Sequence, residues 1–164
     1  MNKQNFETAA VCGLFCKSCG IYIATQTNNE MVLNRIAERL QVPKDQIKCN
    51  GCRSDVLTTH CKSCNFRDCV EKKGVQFCSE CNEYPCASLK EFQIQMPHRV
   101  ELFPSLDQIA ALGWEKWYEL AQERYSCTKC NQLCGWYERE CSHCGNTPSS
   151  SFAADHFDIL VIKG

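Results

Sequence analysis

Cys127 and Cys130 form one Cys-x2-Cys pair and Cys141 and Cys144 form a second, separated by the ten residues NQLCGWYERE. Two such pairs converge on one tetrahedral ion, because four soft thiolates satisfy zinc completely and leave no open coordination position. A closed site of this kind is structural, and the residues between the pairs, Trp136 and Tyr137 among them, read as the strands of a short zinc ribbon. Cys134 is left over and His143 lies between two ligands; both read as incidental, with a reactive thiol at Cys134 as the sharper alternative.

Eleven more cysteines lie nearer the start of the chain. Cys49 and Cys52, in CNGC, enclose a glycine suited to a turn whose backbone N–H groups point at sulfur. Cys61, Cys64 and Cys69 have the spacing Cys-x2-Cys-x4-Cys, and Cys78, Cys81 and Cys86 repeat it. Each repeat offers three ligands and needs a fourth, for which Cys12, Cys16, Cys19, Cys49, Cys52 and His60 are candidates. With His60 the set makes three closed sites; without it, two sites and three spare thiols.

The stretch VCGLFCKSC places Cys12, Cys16 and Cys19 at Cys-x3-Cys-x2-Cys, which resembles the cluster-binding triplet of radical S-adenosylmethionine enzymes. That chemistry needs a large partial barrel around cofactor and radical. Here a cysteine-rich, helical sequence follows, so the radical reading falls. An iron–sulfur cluster in this N-terminal region stays open beside zinc, since Cys-x2-Cys spacing serves both.

Other chemistry is thin. His60, His98, His143 and His156 are scattered, no nucleophilic or metallohydrolase motif is present, and no glycine loop cradles phosphate. The reading therefore leans away from an enzyme.

The chain has 164 residues, sixteen of them cysteine, and a formal charge of −1. The first ten residues lack a secretory apolar core, and no run approaches the roughly 20 apolar residues of a membrane span. A cytoplasmic location without membrane contact is expected, and there thiols serve metal rather than disulfides. Three or four tetrathiolate zinc sites would take the charge to about −7 or −9, a poor footprint for nucleic acid. Only Lys48, Arg53, Lys62, Arg67, Lys72 and Lys73 cluster locally. They read as screening for nearby thiolates, and nucleic-acid binding through them is the lesser reading.

The elements that must hold these residues are mostly helical. Residues 29–41 read as a helix capped by Asn28 or Asn29, with Leu33, Ile36, Ala37 and Leu40 as its stripe. Leu89, Phe92 and Met96 predict another between Pro85 and Pro97. Ser105 and Gln108 suggest a capping box before Ile109, with Gly113 as C-cap. Trp114, Trp117, Tyr118, Ala121 and Tyr125 share one face of a last helix and read as core rather than a stacking platform. GNTPSSS reads as a linker, and Phe157 to Ile162, FDILVI, as a strand.

The expected fold class is a small, metal-stabilised, predominantly α protein with short β knuckles and a C-terminal zinc ribbon. Its expected division is residues 1–98 as a cysteine-rich metal-binding domain, 99–126 as a helical connector, 127–145 as the ribbon module, and 146–164 as linker and apolar strand. CGLFCKSC, CNGCR and above all CKSCNFRDCVEKKGVQFCSECNEYPC, running into a helix that begins ASLKEF, resemble a cysteine-rich prokaryotic domain-of-unknown-function family, number 3795. The resemblance covers roughly residues 10–95, and CTKCNQLCGWYERECSHCG is similar to the zinc-ribbon element that accompanies it. It implies a metal-binding domain without an established activity, and no ligand role for Cys134. The expected function is a zinc-binding structural or adaptor module for an unknown protein partner, with an iron–sulfur or thiol-based redox sensor as the alternative.

Overall fold

The computed structural model describes residues 3–160. In chain order the α-helices are α1 (Lys3–Thr8), α2 (Gly20–Gln26), α3 (Glu30–Leu40), α4 (Thr59–Lys62), α5 (Asn65–Lys73), α6 (Ala87–Ile94), α7 (Leu102–Leu112), α8 (Trp114–Tyr125) and α9 (Ser151–His156). Single 3-10 turns lie at Cys16–Ser18, Lys44–Gln46, Cys78–Glu80 and Pro97–Arg99. Extended pairing among the described residues is reduced to isolated bridges: Ala9 with Phe15, Ser126 with Leu133, and Cys127 with Ser150. The predominantly α expectation holds. The strands expected of a ribbon are single bridges instead, and Trp136 and Tyr137 occupy a turn.

Helix α3 starts as the sequence predicts, with the Asn29 side chain accepting from the Val32 amide. It stops because Gln41 turns left-handed (φ 54°) and the Val42 amide folds back onto the Ala37 carbonyl. Leu33 and Ala37 bury against Ala24 and Ile47, whereas Leu40 is exposed.

The main core is built on α7 and α8, which pack closely across the Gly113 joint, where φ is 82°. Leu102, Leu106 and Ile109 form the inner stripe of α7; Trp117, Tyr118, Ala121 and Tyr125 form that of α8. Phe15, between Cys12 and Cys16, stacks on Tyr125 at 5.6 Å and meets Tyr118 edge-on at 5.1 Å. The aromatic stripe of α8 is core, as expected, and it anchors the first cysteine triplet. Thr8 Oγ1 and the Tyr118 hydroxyl, 2.6 Å apart, fix α1 to the same helix. This core runs from Ala9 to Leu160.

Four local expectations are corrected. Helix α7 begins at Leu102, before the expected capping box, because Leu102 belongs to its buried stripe and the Ser105 amide already bonds the Glu101 carbonyl. Met96 lies outside α6, in the extended conformation that a following proline imposes. GNTPSSS is no free linker: Ser149 and Ser150 are buried, the Ser149 hydroxyl donates to the Glu138 carbonyl, and the Ser150 side chain caps α9. Phe157 to Ile159 form a turn instead of a strand, since Leu160 reaches the core by turning back after α9; residues 161–162 of that expectation lie outside the described residues.

Candidate metal centre

Cys127 follows directly on α8, which ends at Tyr125 with Ser126 as its cap. Two loops then form with the same backbone pattern. In the first, the Asn131 amide bonds the Cys127 carbonyl (2.9 Å) and the Cys127 amide bonds the Gln132 carbonyl (2.8 Å). In the second, the Gly145 amide bonds the Cys141 carbonyl (2.8 Å) and the Cys141 amide bonds the Asn146 carbonyl (2.9 Å). Each closes on a left-handed residue, Asn131 (φ 58°) or Gly145 (φ 70°). Each loop therefore presents its two sulfurs before any ion is considered.

The sulfurs interleave. Cys127 Sγ lies 3.7 Å from Cys144 Sγ, and Cys130 Sγ lies 3.7 Å from Cys141 Sγ. All four lie within 4.8 Å of one another. A tetrahedron with metal–sulfur bonds of about 2.3 Å has edges of about 3.8 Å. The cluster thus has the dimensions of a tetrathiolate ion site. Enclosure pushes the Cys127 thiol up, but the Cys130 and Lys129 amides and the neighbouring thiols outweigh it and hold Cys127 below its usual value.

Glu138 ties the segment between the loops to the second loop, its carboxylate accepting from the Gly135 amide (2.8 Å) and the Ser142 amide (2.7 Å). Cys134, Glu138 and Cys141 also lie close together, but the Glu138 oxygens are already engaged. Burial pushes the Cys134 thiol up to about 12, with Glu138 and Cys141 adding to it, and the thiol points at the Gln132 and Ser149 carbonyls. Cys134 is thus buried beside the cluster, with its thiol directed at backbone carbonyls rather than at solvent.

The eleven cysteines between Cys12 and Cys86 are arranged differently. All sixteen cysteines of the chain are free thiols, yet no three of these eleven bring their sulfurs mutually within 4.8 Å. Cys12, Cys52 and Cys78 are buried in the main core, with Cys16 and Cys86 packed against it. Burial raises Cys12 and Cys16 well above the usual thiol range, and the charge of Cys52 adds to both. Cys49 and Cys61 act on each other, which lowers Cys49 and raises Cys61. Burial likewise raises Cys19, with Cys61 adding to it.

Within CNGC the expected device is present: the Gly51 amide donates to Cys49 Sγ at 3.4 Å. Gly51 (φ 120°) is packed so tightly that a Cβ there would meet the Glu7 carbonyl oxygen at 2.5 Å. The sequence did not reveal that Cys19, Cys64 and Cys86 each stand at a helix N-cap, those of α2, α5 and α6. The available signal was a cysteine directly before each short helical run, GIYIATQ, NFRDCVEKK and ASLKEFQI.

One cation of the local basic cluster contacts sulfur directly, and a second lies near the cysteines. Lys73 Nζ donates to Cys81 Sγ at 3.3 Å. Arg53 turns inward over Phe6 and Phe77 and feels the Cys52, Cys16 and Cys12 charges, which oppose the effect of its own burial. The histidines are not ligands of a close cluster among the described residues. His60 and His143 are exposed. His98 stacks on Trp136 at 4.2 Å with its Nδ1 2.7 Å from the Tyr137 hydroxyl, and His156 pairs with Glu101.

No described helix is long and apolar enough to cross a membrane. A family model described as a protein of unknown function, DUF3795, matches residues 8–91, more than half of the chain. No curated protein and no solved structure matches it.

Proposed function

The chain belongs to the DUF3795 family, and we propose that it is a zinc-binding scaffold that presents its surface to a protein partner in the reducing cytoplasm. The observation that carries this reading is the 3.7 Å interleaving of the Cys127, Cys130, Cys141 and Cys144 sulfurs. That spacing suits one thiophilic ion, and four thiolates leave it no position for a substrate. The ion supplies folding free energy there rather than catalysis. The loops, Glu138 and Ser149 orient the sulfurs; recognition falls to the surface outside them.

A second reading places an iron–sulfur cluster in the N-terminal half. It is favoured by Cys12, Cys16 and Cys19, whose Cys-x3-Cys-x2-Cys spacing also serves thiolate-bound clusters.

Metal content per chain, measured by mass spectrometry on anaerobically purified protein with its absorption spectrum, tests both readings. Zinc, no visible band, and loss of one equivalent in Cys141→Ser are expected. Iron with a band near 400 nm, about where thiolate-bound clusters absorb, would favour the second reading. An unchanged zinc count in Cys141→Ser would overturn the first.

A further inference from the structure

The two Cys-x2-Cys-x4-Cys repeats are alike in sequence and unlike in structure. In the first, Cys61 lies in α4, Cys64 caps α5, and Cys69 sits in the middle of α5. In the second, Cys78 opens a 3-10 turn, Cys81 ends it, and Cys86 caps α6. Equivalent cysteines thus occupy different elements, so the repeat cannot place its three sulfurs the same way twice.

What the fold brings together crosses the repeats. Cys69, Cys78, Cys81 and Cys86 line one cavity of about 40 Å³, walled by Phe66, Val70, Val75, Tyr84 and Leu89. Phe66, Cys69, Val70 and Lys73 fall at helical spacing on one face of α5, so the helix that supplies Cys69 also supplies much of the wall. A cavity of this size takes a single ion or one or two waters and no larger group. Two donors converge on one of its sulfurs: the Lys73 ammonium at 3.3 Å and the Glu83 amide at 3.4 Å both point at Cys81 Sγ. Sulfur is a weak acceptor as a thiol and a good one as a thiolate, and a cation beside it offsets the negative charge that a tetrathiolate ion site carries.

We propose that Cys69, Cys78, Cys81 and Cys86, which line one cavity but whose sulfurs stand further apart than those of the Cys127 cluster, draw together on binding to form a second tetrathiolate site for a single zinc-class ion, shared between the two repeats. Lys73, which also pairs with the Glu83 carboxylate at 2.7 Å, bridges the Cys81 sulfur of that site to Glu83. The site extends the metal-scaffold reading to a centre with its own ligands, and it stands or falls separately from the Cys127 cluster. It also assigns Cys61 and Cys64 to the remaining set with Cys12, Cys16, Cys19, Cys49 and Cys52.

The test counts zinc in the full-length protein by native mass spectrometry. Cys69→Ser and Cys86→Ser are each expected to lose one equivalent. Their double variant is expected to lose still only one, and Cys69→Ser/Cys141→Ser two. Loss of two by Cys69→Ser/Cys86→Ser would overturn the proposal, since the two cysteines would then serve different ions. No loss in either single variant would overturn it as well, whereas failure of the Cys127 cluster shows separately as an unchanged count in Cys141→Ser. More than one iron together with acid-labile sulfide at these positions would overturn the single-ion form. Should the variants not fold, the wild-type protein is stripped with a graded chelator and its thiols are alkylated and mapped. Cys69 becoming reactive in step with Cys78, Cys81 and Cys86 supports the site; Cys69 moving with Cys61 and Cys64 overturns it.

Discussion

The two cysteine-rich regions solve the same problem in opposite ways. Around Cys127 to Cys144, four sulfurs come from two short loops whose backbone hydrogen bonds match one for one. Between Cys12 and Cys86, sulfurs sit on helix caps, helix middles and turns that meet only through packing of α5, α6 and the aromatic core. Local spacing therefore dictates ligand grouping in the first region, while tertiary structure dictates it in the second. A cysteine motif has predictive force when its own turn closes the geometry, and loses it when helices intervene.

The sharpest way to break this contrast is to withdraw metal. A structural thiolate site contributes on the order of 10 kcal/mol to folding, so chelation should lower the melting temperature far more than any single substitution elsewhere. Amide exchange at Asn131 and Gly145 should nonetheless stay slower than at Cys69 and Cys86, because the C-terminal loops are closed by their own hydrogen bonds. Faster exchange in the loops would show that the ion, and not the backbone, shapes them.

Next in size, Gly51→Ala should destabilise the N-terminal half by about 3 kcal/mol, from left-handed strain plus the collision with Glu7, read by chemical denaturation. A cost near zero would mean that this half tolerates local change because no single turn governs it.

His98 gives a third test. Burial, with Arg99 beside it, pulls its pKa down to about 3, against about 6.5 in an unfolded chain. The unfolded state therefore binds the proton first as pH falls, and stability present above pH 6.5 is lost between 6.5 and 3, at up to about 1.4 kcal/mol per pH unit. Acid also releases thiolate-bound metal, with the same sign. His98→Gln at matched metal content should flatten the slope between about pH 6.5 and 5; an unchanged slope would assign all of it to the cysteines. The smallest effect should come from Ser150→Ala, which removes the cap of α9 and should cost about 1 kcal/mol in thermal melts.

Much of the helical frame was legible because its signals are local. Asn29 caps α3, Gly113 closes α7, and the spacing of Trp117, Tyr118, Ala121 and Tyr125 reports a buried face wherever the chain folds. The Cys127 cluster was legible for the same reason. Serines 149 and 150 misled, since polar residues that read as linker are buried once Glu138 and α9 supply partners for their hydroxyls. Phe157 to Ile159 misled because an apolar run reads as a strand, whereas here Ile159 is exposed and Leu160 obtains its burial from the turn after α9. The repeat between Cys61 and Cys86 was visible, but its grouping was not, because equivalent cysteines fall on different sides of helix boundaries.

The seam between the regions has a consequence of its own. The Trp136 amide donates to the Ser18 carbonyl at 2.9 Å, immediately before Cys19, while the Trp136 ring stacks on His98. Ordering either side through its cysteines thus lowers the entropy left to be lost by the other. If both sides take up metal, the coupling carried by this contact is reciprocal: whatever one loading does to the affinity of the other, the other does to it by the same factor.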